Sequence, residues 1–233
     1  MKVQCLTLGL LTGLAVAGSA HADAVFEITE IYAGMTGEDG TNDWFEVTNT
    51  GDMAGDTGTL YYDDDSADPT EDANLTSFIL APGASAIFLV ADDDTDFEDD
   101  TNPGADLFEQ FTNIWGSVAN LGLTHGGGAL GQSGDTIFLY DGNTAGANQV
   151  ASAMFDGSFE NNGATIDFLT GPAASVVGVN GAFESAVFFN DNIGGGTNSD
   201  EITLVGSPGV VPEPGSLALL VTAGLATLRR RRA

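Results

Sequence analysis

All five basic side chains of this 233-residue chain, Lys2 and Arg229 to Arg232, sit at its extremities, and of the 34 Asp and Glu residues every one but Glu213 lies between them. The stretch from Asp23 to Val211 therefore has to fold with many carboxylates and not one lysine or arginine. It can form no ion pair with either residue type, and its self-repulsion must be met by dissolved ions or bound cations. It repels DNA, RNA and anionic lipid, which excludes nucleic acid as a partner. The only cysteine, Cys5, also lies outside it, so no disulfide or thiol chemistry is available. Stability must come from apolar burial or from ions, and the stretch is long enough to bury a sizeable core as one domain.

The extremities read as sorting segments. Lys2 is a charged n-region, Cys5 to Val16 is mostly apolar, and Ala20-His21-Ala22 has the small-x-small form of a cleavage site. Residues 1–22 are thus expected to be a secretory signal helix removed by signal peptidase, with the mature chain starting at Asp23. At the other end Pro212-Glu213-Pro214 is an extended spacer that neither helix nor sheet absorbs. An apolar run of twelve residues follows from Leu217 to Leu228, short against the roughly 20 that cross a hydrocarbon core of about 30 Å. Arg229, Arg230, Arg231 and Arg232 hold the far end on the cytoplasmic side by the positive-inside rule.

Pro-Glu-Pro, a hydrophobic helix and an arginine cluster in that order resemble the PEP-CTERM sorting signal, over residues 211–233. The resemblance implies recognition and processing by exosortase, a membrane protease-transpeptidase. It also implies a transient membrane anchor, followed by release to the cell surface or the extracellular matrix.

Between the ends, 32 glycines and short apolar runs bounded by Gly, Asn and Asp predict an all-β domain over residues 23–210. The expected strands are Val25 to Tyr32, Trp44 to Asn49, Thr59 to Tyr62, Ser77 to Leu80, Ala84 to Ala91, Thr136 to Tyr140, Gln149 to Phe155, Ala186 to Phe189 and Glu201 to Leu204. Phe26, Ile28 and Glu30 share a parity, which gives the first strand a mixed face and places it near an edge. Asn49-Thr50-Gly51-Asp52, Ala81-Pro82-Gly83 and Asp141-Gly142-Asn143 read as turns, the last as a tight hairpin. Helical spacing occurs only near Asp106 to Trp115, through Leu107, Phe108, Phe111, Ile114 and Trp115. Nine or so strands suggest a β-sandwich.

Glu30-Ile31, the run Asp43 to Asn49, the Phe78 to Gly83 turn, Trp115-Gly116, the run Gly134 to Asp141 and the closing Gly206-Ser207-Pro208-Gly209 occur in the order of the lamin-tail domain, which the body resembles from about Val25 to Pro208. The resemblance implies an immunoglobulin-like β-sandwich of the kind often appended to secreted bacterial proteins. Acidic insertions at Asp63 to Asn74 and Asp92 to Asp106, and a long Asn143 to Gly196 region, depart from it.

No catalytic constellation stands out. Trp44 and Trp115 read as core anchors rather than sugar-stacking platforms. Glu46, two residues beyond Trp44, reads as a solvent-facing strand residue. The many carboxylates single out no glycosidase pair. His125, the body's one histidine, lies in a glycine-rich loop and lacks companion ligands for zinc. There is no P-loop lysine and no G-x-S-x-G elbow. Asp63-Asp64-Asp65, the Asp92 to Asp96 run and Glu98-Asp99-Asp100 read as solvated loops. Asp92, Asp94 and Asp96 have D-x-D-x-D spacing, but Phe97 and Pro103 replace the glycine and glutamate of an EF-hand.

The chain is thus expected to be an exported, exosortase-processed protein with a structural or adhesive, non-catalytic body, in contact with signal peptidase, exosortase, the membrane before processing and extracellular polysaccharide. The alternatives are a secreted carboxylate-dependent polysaccharide hydrolase and a polyanionic calcium-binding module. For calcium in the acidic loops, the expected outcome is a melting temperature raised beyond that in sodium chloride of equal ionic strength. Superimposable melting curves would remove the calcium reading.

Overall fold

The computed structural model describes residues 23–34, 43–70, 73–91, 106–159, 163–169, 171–188 and 201–210, with the backbone alone for 186–188 and 201–202. Thirteen strands are described: β1 Phe26–Tyr32, β2 Trp44–Asn49, β3 Gly55–Asp56, β4 Tyr61–Asp63, β5 Ile79–Leu80, β6 Ser85–Leu89, β7 Leu121–Leu123, β8 Gly134–Tyr140, β9 Gln149–Asp156, β10 Ile166–Asp167, β11 Ala173–Ala174, β12 Phe183–Phe188 and β13 Glu201–Gly206. One α-helix, α1 Leu107–Trp115, and two short 3-10 turns complete the set. Among the described residues the architecture is all-β with a single short helix.

The central sheet has six strands in the order β11-β10-β1-β2-β6-β7, antiparallel except for the β6–β7 pair. A three-stranded sheet, β4-β8-β9, and two two-stranded pairs, β3-β5 and β12-β13, make up the rest. β1 is interior, flanked by β10 and β2. Its expected place near an edge is therefore corrected, and the cause is local. The β1–β2 register slips between Ile28 and Glu30, a β-bulge at Thr29. An extra residue in one strand reverses the side-chain alternation beyond it. Ile28 and Ile31 consequently share one face, although three residues apart, and Glu30 goes to the other with Tyr32.

Both faces of the central sheet are covered. Ile28, Ile31, Phe45, Val47 and Phe88 pack with Tyr62 of β4, Ile137 and Leu139 of β8, and Ala153 and Phe155 of β9. On the opposite face Tyr32, Trp44, Ile87 and Leu89 meet Leu107, Phe111 and Trp115 of α1, with Leu204 of β13. Asp106 caps α1 by accepting the Glu109 N–H at 2.7 Å. Gly116 ends the helix at φ 81°, a left-handed value that suits glycine. The Ser185 hydroxyl donates to the Ile114 carbonyl and so ties β12 to the helix. Trp44 and Trp115 are edge-to-face at 5.4 Å and both buried, the core role expected of them.

The turn at Asn49 to Asp52 is held by Asn49 itself, fully buried. Its amide donates to the carbonyls of Met53 (2.7 Å) and Leu80 (2.9 Å), and its side-chain oxygen accepts from the N–H groups of Val25 and Gly51. The β8–β9 hairpin forms, but its connection runs over residues 141–148 rather than turning at Asp141-Gly142. Asp141 closes the longer loop by accepting from both the backbone and the side-chain amide of Asn148. Strands β3, β7, β10 and β11 have two or three residues each and no periodic signature in the sequence.

Phe45 has no exposed surface, stacks on Tyr62 at 5.4 Å and lies 5.8 Å from Phe88. Phe45→Ala should therefore cost about 3–5 kcal/mol in urea unfolding. Met154→Ala, at a side chain 70% exposed, should stay within about 0.5 kcal/mol.

Candidate functional site

Among the described residues, the one place where the fold brings two acidic side chains together in its interior is the cross-strand pair Glu30 and Glu46. They are register partners on β1 and β2, on the face that α1 covers, and each is 3% exposed. Glu46 does share Trp44's face, as alternation requires, but that face is not open to solvent. The expectation of a solvent-facing Glu46 fails because a helix and the closing segment of the domain lie over it.

With no lysine or arginine among the described residues, the partners are hydroxyls and backbone amides. Glu30 Oε1 accepts from the Thr165 hydroxyl and from the Ser207 N–H at 2.7 Å, and its Oε2 accepts from the Ser207 hydroxyl at 3.1 Å. Glu46 Oε1 accepts from Thr29 Oγ1 at 2.5 Å and Thr48 Oγ1 at 3.4 Å, and its Oε2 from the Gly209 N–H at 2.7 Å. The bulge delivers Thr29 to this cluster, and Thr29 and Thr48 are themselves 2.9 Å apart. Thr165 is supported in turn by Ser175 Oγ at 2.7 Å.

The two glutamates thus fasten Ser207-Pro208-Gly209 to the first two strands. Pro208 has no N–H to offer, and the amides on either side of it each take one carboxylate. Gly206, just upstream, has to be glycine. A Cβ there would come within 2.7 Å of Thr165 Cγ2 and 2.8 Å of Trp115 Cζ3.

Burial raises the pKa of both glutamates, that of Glu30 to about 7, while the hydroxyl and amide donors pull back down and the neighbouring Glu46 adds a further rise to Glu30. Paired carboxylates with raised pKa values are a common acid–base arrangement. Here both groups are 3% exposed, and their bonds to Ser207 and Gly209 hold the closing segment against β1 and β2. A cleft of about 270 Å³ opens beside it, lined by the 83–87 stretch, Val118, Ala119, Asn120 and Gly209. No carboxylate or histidine lines this cleft.

The other described acids divide between loop closure and solvent. Asp63 is 1% exposed, accepting from Ser66 Oγ and the Asp68 N–H, which corrects its placement in a solvated run. Asp64 is only partly covered, and its pKa is raised by desolvation and by Asp135 and Asp63. Among the described residues no three or more His, Cys, Asp or Glu side chains are grouped to hold a metal ion. His125 is exposed with φ 56° and lies 3.2 Å from Thr76 Oγ1.

Ala20 and Ala22 of the expected cleavage site, Pro212, Glu213, Pro214 and Arg229 to Arg232 of the expected sorting signal, and Asp92, Asp94 and Asp96 lie outside the described residues. Among the described residues no helix is long and apolar enough to cross a membrane. Comparison with protein-family models, with curated proteins and with solved structures finds no match.

Because Glu30 binds its proton more tightly when folded, its share of stability is fully present below the unfolded value near 4.5 and is lost as pH rises through about 7. Urea midpoints should fall across that window. Glu30→Gln, which removes the titration and keeps the shape, should flatten the fall. An unchanged slope in the variant would rule out Glu30 as its source.

Proposed function

We propose that this chain is the precursor of an exported, non-catalytic surface protein. On this reading residues 1–22 direct secretion, residues 23–210 form a structural or adhesive domain, and residues 211–233 are processed by exosortase at Pro212-Glu213-Pro214. The single observation that carries it is the charge partition. Every lysine and arginine lies in the two extremities, where export chemistry uses them, and the domain between is purely anionic. Such a surface holds water and divalent ions and suits life within extracellular polysaccharide.

The finer architecture we assign is an immunoglobulin-like sandwich of lamin-tail type. The motif order from Glu30-Ile31 to Ser207-Pro208-Gly209 supports it, as does the β4-β8-β9 sheet lying over one face of the central sheet.

The Glu30–Glu46 clasp fits the same reading. It fastens the last residues before the sorting segment to the middle of the central sheet, so a pull on that segment is borne by two buried carboxylates and not by a frayed end. A hydrolase running on carboxylates would need a pair open to substrate. The pair found in the interior is committed to the clasp.

Mass spectrometry of the protein recovered from its cells should give species running from Asp23 to the neighbourhood of Pro212. Intact chains in the cytosol, with the arginines still attached, would overturn the export reading. Turnover of glycan substrates by the purified domain would overturn the non-catalytic one.

A further inference from the structure

Among the described residues, half of the exposed large apolar side chains lie close to where the chain leaves the domain. Val176, Val177 and Val179 are 60%, 52% and 52% exposed, in a turn closed by Val179 N–H to the Val176 carbonyl and Gly178 N–H to the Ala182 carbonyl. Leaving three branched apolar side chains in water on one tight turn is costly, at about 25 cal/mol per Å² of apolar surface. The turn is firmly placed. Asn180 donates to Asp167 Oδ2 at 2.6 Å, and Val210 packs so closely on Gly181 that a Cβ there would lie 2.3 Å from its Cγ1. Leu169 and Val210, 41% and 43% exposed, extend the patch.

In a domain dense with carboxylates, the sequence between Asp167 and Glu184 contains no ionisable side chain. Val210 is also the last described residue, and only six residues separate it from Leu217, where the apolar run of the tail begins. A chain of that length spans at most about 25 Å. Whatever surface surrounds Val210 is therefore kept within about 25 Å of the bilayer once the tail has entered it.

We propose that the valine turn, with Leu169 and Val210, is a membrane-resting face of the tail-anchored precursor, and that it seats on the headgroup region of an uncharged, zwitterionic lipid surface. The proposal rests on the membrane-directed reading of the tail given above. An anionic domain without lysine or arginine has no electrostatic means of approaching lipid, so the contact is made by uncharged apolar side chains. It depends on the tether for its effective concentration. Once the tail is cut, the same small patch no longer has a bilayer within reach, and the domain leaves.

The test uses the signal-processed chain, Asp23 to Ala233, which has no cysteine of its own, in phosphatidylcholine vesicles with a nitroxide on Val177→Cys, compared with a nitroxide on Met154→Cys. Met154 is an exposed side chain of β9 in the three-stranded sheet. Vesicle flotation first reports whether the tail inserts. In floated protein the label at 177 is expected to be at least threefold more accessible to oxygen, relative to a water-soluble nickel relaxant, than the label at 154. Adding Val176→Ser and Val179→Ser should abolish the difference while the melting temperature stays the same. Floated protein with equal accessibility at the two labels would overturn the membrane-resting face while leaving the tail reading intact. Protein that does not float would overturn both.

Discussion

A carboxylate buried without a cation is the constraint around which this fold closes. Taking an ion out of water costs several kcal/mol even after relaxation, and the usual remedy, a lysine or arginine, is missing from the whole domain. Each hydrogen bond to an ionised group returns about 1.5–3 kcal/mol, so the three donors to Glu30 and the four to Glu46 (Thr29, Thr48, Ser85 and Gly209) offset much of that cost. The balance is visible in the direction of the pKa values, which burial still raises against the pull of Thr165, Ser207, Thr29 and Gly209. Because two of those donors are backbone amides of the closing segment, the cost of the burial is tied to the chain's final placement. Glu30 and Glu46 are satisfied only when Ser207-Pro208-Gly209 lies across β1 and β2.

That placement in turn requires a covered second face. The aromatic group of Tyr32, Trp44, Phe111, Trp115 and Phe183 packs largely edge-to-face, with ring centroids 5.4–6.4 Å apart. It glues α1 and the β12–β13 hairpin onto the central sheet. Trp115 also presses on Gly206, where no side chain could fit. The helix, the hairpin and the clasp therefore stand or fall together, and the bulge at Thr29 is what points Glu30 into their midst while leaving Ile28 and Ile31 in the other core.

The same geometry gives the molecule two unlike surfaces. Much of it carries acidic side chains, with no lysine or arginine between Asp23 and Val211 to offset them. A small uncharged region, the valine turn with Val210, surrounds the point at which the chain departs toward its arginine-bearing end.

Much of this was written in residue order. Helical spacing foretold α1, and the two tryptophans declared themselves as core by size alone. The charge partition is likewise a property of the sequence, since counting side chains needs no coordinates. What only the tertiary structure decided is which faces are inside. A single extra residue at Thr29 inverts the strand's parity, which no two-residue period reveals. β7, β10 and β11 are defined by their neighbours because two or three residues carry no period of their own. Glu46 looked solvent-facing because its burial depends on donors 163 residues away in sequence. Local pattern reports what a side chain prefers. Whether a carboxylate can be kept from water depends on which distant amides the fold brings to it.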